Sequence, residues 1–461
     1  MPSILGANTL SSGYDVANSV RFDDGDSAYL QKSASGGNRK TFTFSTWLKR
    51  GNLTYGYATF FSSDQATNNS FRVTFDDDDG SNDDHLMVYY YTGSHQLKFI
   101  TNREFRDISA WYHIVIAVDT TQGTEGNRLK IYVNGVQETA FSTASYPSQN
   151  LDTSVNQSGA PTRVGAGTSL YFDGYMAETV LIDGTQYAAS DFGEFDSDSG
   201  IWKPKDVSGL TFGTNGFYLN YENAAELGTD ANGGTALSET NLDAQNQSTD
   251  TCTNNFATLN HLNTHDGALT YSEGNLKVVA ASGSAAWNTR YAFSTIGVSA
   301  GRWYVEAKCV DSGGSNQFYF GVGKDLNTWT FTSSLGYENT GQGWGYYASS
   351  GNIVNNESDL YTSGNSYTDG DIISMELDLE DMTLDFYKNG AKEGYQITSL
   401  PAGTYHFAIN GYAAIDGEFN FGSPPYAISS GNADGNGHGN FEYSVPSGHF
   451  ALNTKNLAEH G

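Results

Sequence analysis

Two Asn-Gly steps constrain this chain more than any other feature. Arg128-Leu-Lys-Ile-Tyr-Val133 runs directly into Asn134-Gly135, and Leu384-Asp-Phe386 leads to Asn389-Gly390 within residues 367–395, a segment that alternates apolar and polar side chains. Both central residues of the tightest hairpin turn need positive φ, which Asn and Gly accept most readily, so Asn-Gly between alternating runs signals a β-hairpin. One such hairpin falls in each half of the chain. The pattern predicts an all-β protein of two antiparallel sandwich domains in tandem.

Composition agrees with that reading. At 461 residues the chain is long enough for two or three domains that each bury a core. Its 30 Tyr, 26 Phe and 53 Gly against 8 Pro suit sheets joined by tight turns. Lys and Arg number 23 against 52 Asp and Glu, and the net charge of -29 repels phosphate backbones, so no nucleic-acid partner is expected. A soluble surface adapted to a salty medium accounts for the acidity. Two cysteines, Cys252 in a polar loop and Cys309 in a predicted strand, make neither a disulfide framework nor a CxxC metal pattern. Residues 1–13 lack the basic start and apolar stretch of a signal peptide, and no apolar run nears the ~20 residues of a membrane span. A protein made in the cytoplasm, without membrane insertion, is the expectation.

Residues 1–205 read as one module, with period-two segments at 19–22, 41–48, 86–91, 111–118, 129–133 and 175–182. In the second of these, Phe42, Phe44 and Thr46 share one face. Only residues 188–192 suggest a helical turn. Residues 206–255, rich in Asn, Thr, Ala, Gly and Asp, read as an irregular surface linker that contains the domain boundary. Residues 256–428 form the second sandwich. Residues 429–461 read as a flexible tail, because 431–439 alternate Gly with small polar residues.

Several segments carry family resemblances. Ser19-Val-Arg-Phe22, Thr41-Phe-Thr-Phe-Ser-Thr-Trp-Leu48, Trp111-Tyr-His-Ile-Val-Ile-Ala-Val118, Lys130-Ile-Tyr-Val-Asn-Gly-Val136 and Phe172-Asp-Gly-Tyr-Met-Ala-Glu-Thr-Val180 occur in the order of a concanavalin A-like, laminin G-type jelly roll, which residues 1–205 resemble. Gly301-Arg-Trp-Tyr-Val-Glu306, Phe318-Tyr-Phe-Gly-Val-Gly323, Gly343-Trp-Gly-Tyr346, Asp369-Gly-Asp-Ile-Ile373, Leu384-Asp-Phe-Tyr-Lys-Asn-Gly390 and Phe419-Asn-Phe-Gly422 make residues 256–428 similar to a SPRY (B30.2-like) domain. With the Ser-Ile-Leu-Gly-Ala start, Phe192-Gly-Glu-Phe-Asp-Ser-Asp-Ser-Gly-Ile-Trp202, Thr253-Asn-Asn-Phe-Ala-Thr-Leu259 and the Ala451-Leu-Asn-Thr tail, the whole resembles virion structural proteins of tailed phages, particularly marine ones. That resemblance implies a virion location and other virion proteins as partners.

Concanavalin A-like folds include glycoside hydrolases, whose laminarinase-type members carry E-x-D-x-x-E on one strand. The nearest match, Glu376-Leu-Asp-Leu-Glu-Asp381, ends in Asp where Glu is needed and runs into a hairpin turn. No enzyme activity is expected. His113, on a strand after Trp111 and Tyr112, reads as a buried, hydrogen-bonded residue rather than a catalyst. Clustered Asp in loops supplies the hard oxygens calcium prefers, and laminin G-type modules often bind calcium at one rim. Asp76, Asp78 and Asp83 in the acidic run 76–84 are therefore the candidate calcium ligands, with Asp23-Asp-Gly-Asp26 as a second cluster. In SPRY domains the variable loops bind partners, which points to residues 324–340. The candidate ligand-binding residues are Asp325, Asn327 and Trp329 there, with Trp344 and Tyr346 as aromatic platforms for a sugar.

The expected function is non-enzymatic: a phage surface protein, of tail-fibre or capsid-decorating type, presenting sandwich loops to a host-surface glycan or to neighbouring virion proteins. Many copies, as a homo-oligomer or on one particle, would convert weak single-site binding into avid attachment. A purely architectural coat or tail component is the alternative, and a glycan-degrading depolymerase a more distant one. Only about a dozen residues precede the first module, so no N-terminal shaft is expected and anchoring falls to a folded face or the C-terminal tail.

Overall fold

A computed structural model describes residues 13–53, 58–66, 68–76, 84–262, 269–280, 290–311, 317–329, 333–338, 340–412 and 415–461. The chain is nearly all β and divides into two compact units, Met1–Asn254 and Asn255–Gly461. Among the described residues no helix is long and apolar enough to cross a membrane.

Both Asn-Gly steps form the hairpins expected of them, by the same device. Asn134 and Gly135 have φ of 46° and 79°, and Asn389 and Gly390 have 49° and 78°. The Asn134 side chain accepts the His113 amide at 2.7 Å, while its own amide donates to the His113 carbonyl at 2.9 Å. Asn389 makes the same pair of bonds to Ile372, at 2.9 and 2.8 Å. Each turn is thereby stitched to the start of the neighbouring strand. Each glycine also lies beneath an aromatic ring, with a Cβ falling 2.2 Å from Trp202 at Gly135 and 2.5 Å from Tyr443 at Gly390.

The first unit is a sandwich of two eight-stranded sheets. In one, the order is Val136–Gln137, Leu129–Val133, Trp111–Asp119, Thr41–Arg50, Gly174–Asp183, Ser19–Phe22, Gln247–Ser248, with Phe217–Leu219 also pairing Gly174–Asp183. The other runs Phe141–Ser145, His95–Glu104, His85–Tyr91, Asn69–Phe75, Ala58–Ala66, Pro161–Val164, Tyr29–Ser33, Ser238–Thr240. Between them Phe42, Phe44 and Leu48 meet Phe60, Phe61 and Phe71, with Phe44 stacked on Phe61 at 4.1 Å. The opposite face of Thr41–Arg50 is buried as well, because Phe192, Trp202, Val207 and Phe212 pack over Trp47 as a third layer. His113 lies fully buried in that layer, where Trp202 Nε1 donates to its Nδ1 at 3.0 Å. That bond leaves Nε2 carrying the proton, 2.9 Å from Ser45 Oγ, so His113 cannot serve Ser45 as a base.

Residues 206–255 are not a surface linker. Phe217, Leu219, Tyr221, Leu227 and Leu237 enter the sandwich core, and Ser238–Thr240 and Gln247–Ser248 close the sheet edges. Asp250 is 1% exposed and pairs with the equally buried Lys49 at 2.8 Å. Long-range pairing wins over a locally polar composition. The first unit therefore runs to Asn254 rather than to residue 205.

Glu178 sits at a bulge of Gly174–Asp183 with φ of 49°, buried against Tyr218 and Tyr14, whose hydroxyls lie 2.7 and 3.2 Å from one carboxylate oxygen. Burial pushes its carboxyl up from 4.5 to about 7. A raised acid stabilises the fold below the unfolded value, and that stabilisation is lost as pH rises through the folded one. Glu178→Gln, which carries no charge to bury, is expected to match the parent at pH 4 and exceed it at pH 8 by up to roughly 3 kcal/mol, read from urea midpoints at the two pH values.

The second unit pairs a sheet ordered Leu269–Ser272, Lys277–Ala280, Ile415–Asn420, Arg302–Asp311, Ile372–Asp378, Thr383–Lys388, Ala391–Lys392 with one ordered Tyr291–Phe293, Tyr405–Gly411, Phe318–Lys324, Gly343–Tyr347, Ile353–Asn355, Ser358–Tyr361. Phe320 packs between them on Tyr367 and Phe419, with ring centroids 5.8 and 5.6 Å away. Residues 429–461 are an ordered part of this unit rather than a flexible tail. Phe450–Ala451 adds a parallel strand to Trp303 and Tyr304, and Thr454–His460 is an α-helix capped by Asn453. Asp434, in the middle of the Gly-rich stretch, accepts the amides of Asn436, His438 and Ala451 and the Asn456 side chain, all within 2.9 Å. One carboxylate supplies the order that composition lacks.

Candidate functional site

The strand Phe318–Lys324 explains where a site forms in the second unit. Phe318 and Phe320 point inward, while Tyr319, Gly321 and Gly323 line the outer face of the sheet. Residues 325–329 and 333–338 fold back over that face. Trp329 and Leu335 come to rest on Tyr291, Phe293, Tyr319 and Val354. Gly323 is required there, since a Cβ would sit 2.3 Å from the Trp329 ring. The returning loop is pinned by buried Glu338, which accepts the amides of Gly336 (2.7 Å) and Gly343.

Where the loop meets the turn after Ile353–Asn355, a cavity of about 400 Å³ opens, lined by Tyr319, Ser333, Ser334, Tyr337 and Glu357. Its walls are fixed from behind. Tyr347 stacks on Tyr319 at 4.5 Å, and the Ser334 side chain hydrogen-bonds the Tyr319 phenol. Tyr337 donates to the Asp359 carboxylate, and burial together with that carboxylate raises its phenol to about 12. The Glu357 amide donates to the Gly336 carbonyl at 3.1 Å, joining the turn to the loop. Asn356 and Glu357 both hold left-handed backbone, with φ of 51° and 59°. That conformation is uncommon for Glu and orients the turn toward the cavity.

The residues named from sequence separate into two groups. Asp325 and Asn327 stay at the surface of the loop, where Asp325 is held below the usual carboxylate range by its hydrogen bond from Lys324. Trp329, Trp344 and Tyr346 are core residues and not binding platforms. Trp329 is 7% exposed beneath the loop, Trp344 packs 5.7 Å from Tyr405, and Tyr346 is fully buried with its hydroxyl on Glu393 at 3.0 Å. A sheet with both faces covered consumes its aromatics in packing. The cavity residues themselves were not singled out from sequence. The available signal was Tyr319, a large outward side chain alternating with two glycines.

For calcium, Asp76 is buried beside His85, and Asp78 and Asp83 lie outside the described residues. The second acidic cluster does assemble in part. Carboxylate oxygens of Asp23, Asp24 and Asp173 lie within 4.8 Å of one another, a donor type that suits a hard divalent cation. Of the hydrolase-like run, Glu376 accepts the Tyr387 hydroxyl and lies 3.3 Å from His449, while Asp378 pairs with Arg302 at 2.8 Å. Arg302 also reaches Glu380 and Asp381, each at 3.2 Å, so three carboxylates of the run share one guanidinium.

Residues 23–188 match the model of the concanavalin A-like lectin/glucanases superfamily, and residues 302–424 match that of the SPRY domain. No curated protein matches this chain. Among solved structures it is similar to the SPRY domain of human HERC1, at 24% identity over 31% of this chain and 85% of that one, with a TM-score of 0.26. A second human SPRY domain matches at 15% identity over 35% and 98%, TM-score 0.27. A heptameric SAP-like pentraxin from Limulus polyphemus matches at 13% over 38% and 80%, TM-score 0.29. The chain carries a concanavalin A-like domain followed by a SPRY domain, two β-sandwich modules of binding type.

Proposed function

We propose that this chain is a non-enzymatic surface protein of a tailed-phage virion, which uses the loops of its SPRY domain to hold a host-surface glycan or a neighbouring virion protein. The observation that carries the reading is the cavity at Tyr319, Tyr337 and Glu357, whose walls are fixed by hydrogen bonds before any ligand arrives. Preorganisation of this kind lowers the ordering cost of binding. Its position within the loop that SPRY resemblance assigns to partner contact gives further support. The virion placement rests on the resemblance of the terminal segments and domain order to phage structural proteins. Affinity then comes from many copies acting together.

The test is binding of fluorescently labelled full-length protein, alone and artificially multimerised, to candidate host cells, purified virions and a glycan array, with calcium and with chelator. Saturable binding to one host, sugar or virion component is the expected result. Loss on chelation would assign a role to a bound divalent cation, for which Asp23, Asp24 and Asp173 are candidate ligands. Absence of binding in every arm would sink the reading in favour of an architectural component.

A further inference from the structure

We propose that the SPRY-domain cavity receives a basic side chain, the guanidinium or ammonium of an Arg or Lys in an extended segment of a protein partner. The proposal rests on reading this domain as a binding module and names the chemistry of its ligand. The cavity is rich in acceptors. Glu357 offers a carboxylate, Tyr337 offers a phenol oxygen whose proton is already given to Asp359, and Ser333 and Ser334 offer hydroxyls. Among the described residues, none that lines the cavity has a cationic or amide side chain. Asp359, the exposed acceptor of the Tyr337 hydroxyl, adds a second negative charge beside the cavity, with its other oxygen taken by Asn352 at 2.9 Å.

A lining whose one charged group is a carboxylate is matched by a cationic donor, which Lys and Arg supply, and repels phosphate, uronate or sialate. The phenol rings of Tyr319 and Tyr337 stand at 63° with centroids 6.4 Å apart, forming an aromatic corner suited to a cation. A net charge of -29 draws basic partners toward the site. A protein partner is favoured over an amino sugar by what adjoins the cavity. Ser358–Tyr361 is the last strand of its sheet, so its outer edge is open among the described residues. An extended segment can pair along that edge while one side chain enters the cavity.

The probes are the blocked peptides Gly-Gly-Arg-Gly-Gly, its citrulline analogue and glucosamine, titrated into the full-length chain by isothermal calorimetry and by tyrosine fluorescence. The Arg peptide is expected to bind saturably, the uncharged citrulline peptide at least tenfold more weakly, and glucosamine no better than citrulline. Glu357→Gln, at an exposed turn, is expected to weaken the Arg peptide at least fivefold with an unchanged melting profile. Ser363→Ala, outside the cavity, serves as the control that should bind normally. Equal binding of the Arg and citrulline peptides, preference for glucosamine, or undiminished binding by folded Glu357→Gln would each overturn the proposal. If these fail while the labelled protein still attaches to cells or virions, the cation inference falls and the binding function stands. Attachment lost in every arm removes both.

Discussion

Deleting residues 429–461 is expected to unfold the second unit while leaving the first intact. The removed segment supplies Phe441, Ala451, Leu452, Asn453 and Asn456, all fully buried, and covers Tyr304 and Phe256. It also supplies the amides of Glu442 and Tyr443, which donate to the buried Glu306 carboxylate at 2.9 and 2.8 Å. Without them Glu306 keeps, among the described residues, the Tyr304 hydroxyl and the Asn420 side chain, at 3.1 and 3.3 Å, in a site where burial already raises its carboxyl. Losing Phe441 alone should cost about 3–5 kcal/mol. Adding the stranded carboxylate brings the total to the order of a whole domain's stability, ~5–15 kcal/mol. Calorimetry of the full chain and of residues 1–428 checks this. Retention of both units' unfolding transitions in the shorter chain would make the segment peripheral. Phe441→Ala in the full chain is the graded version, lowering only the second unit's transition.

What the sequence disclosed and what it hid follow from the range over which each feature is encoded. The Asn134-Gly135 and Asn389-Gly390 turns were legible because backbone handedness within two residues decides them. The alternation of Phe42, Phe44 and Thr46 was legible because it repeats along one strand. Phe217–Leu219 and Gln247–Ser248 are three and two residues long, too short for a period, and their partners lie far back in the chain. The same holds for Asp434, whose hydrogen bonds turn a Gly-rich stretch into fixed structure. For the candidate cavity, residues 324–340 include Ser333, Ser334 and Tyr337 of its lining, while Tyr319 and Glu357 fall outside that stretch. Trp344 and Tyr346 have the chemistry of platforms, yet whether a strand's aromatic faces water depends on what covers the sheet. Tyr319 and Glu357, 38 positions apart, meet only because the loop returns over the strand.

Asp250→Ala is the sharpest test that residues 206–254 belong to the jelly roll. Lys49 lies on the outer face of Thr41–Arg50, 1% exposed, and its ammonium meets Asp250 at 2.8 Å. The other Asp250 oxygen accepts the Trp111 indole at 3.1 Å, and the Asp250 carbonyl accepts Ser19 at 2.6 Å. One residue from the supposed linker therefore ties three strands together. Removing the carboxylate takes this acceptor away from a buried ammonium and a buried indole N–H, a loss of about 3–5 kcal/mol. The pair need not be a net stabiliser for this to hold, because desolvating both ions offsets much of their attraction. That distinction is measurable. Lys49→Met combined with Asp250→Ala should recover much of the loss, since neither charge of the pair remains to be desolvated, whereas an exposed linker would make Asp250→Ala nearly silent, within about 0.5 kcal/mol. The readout is the first unit's unfolding transition, with the second unit's transition unchanged as the internal standard.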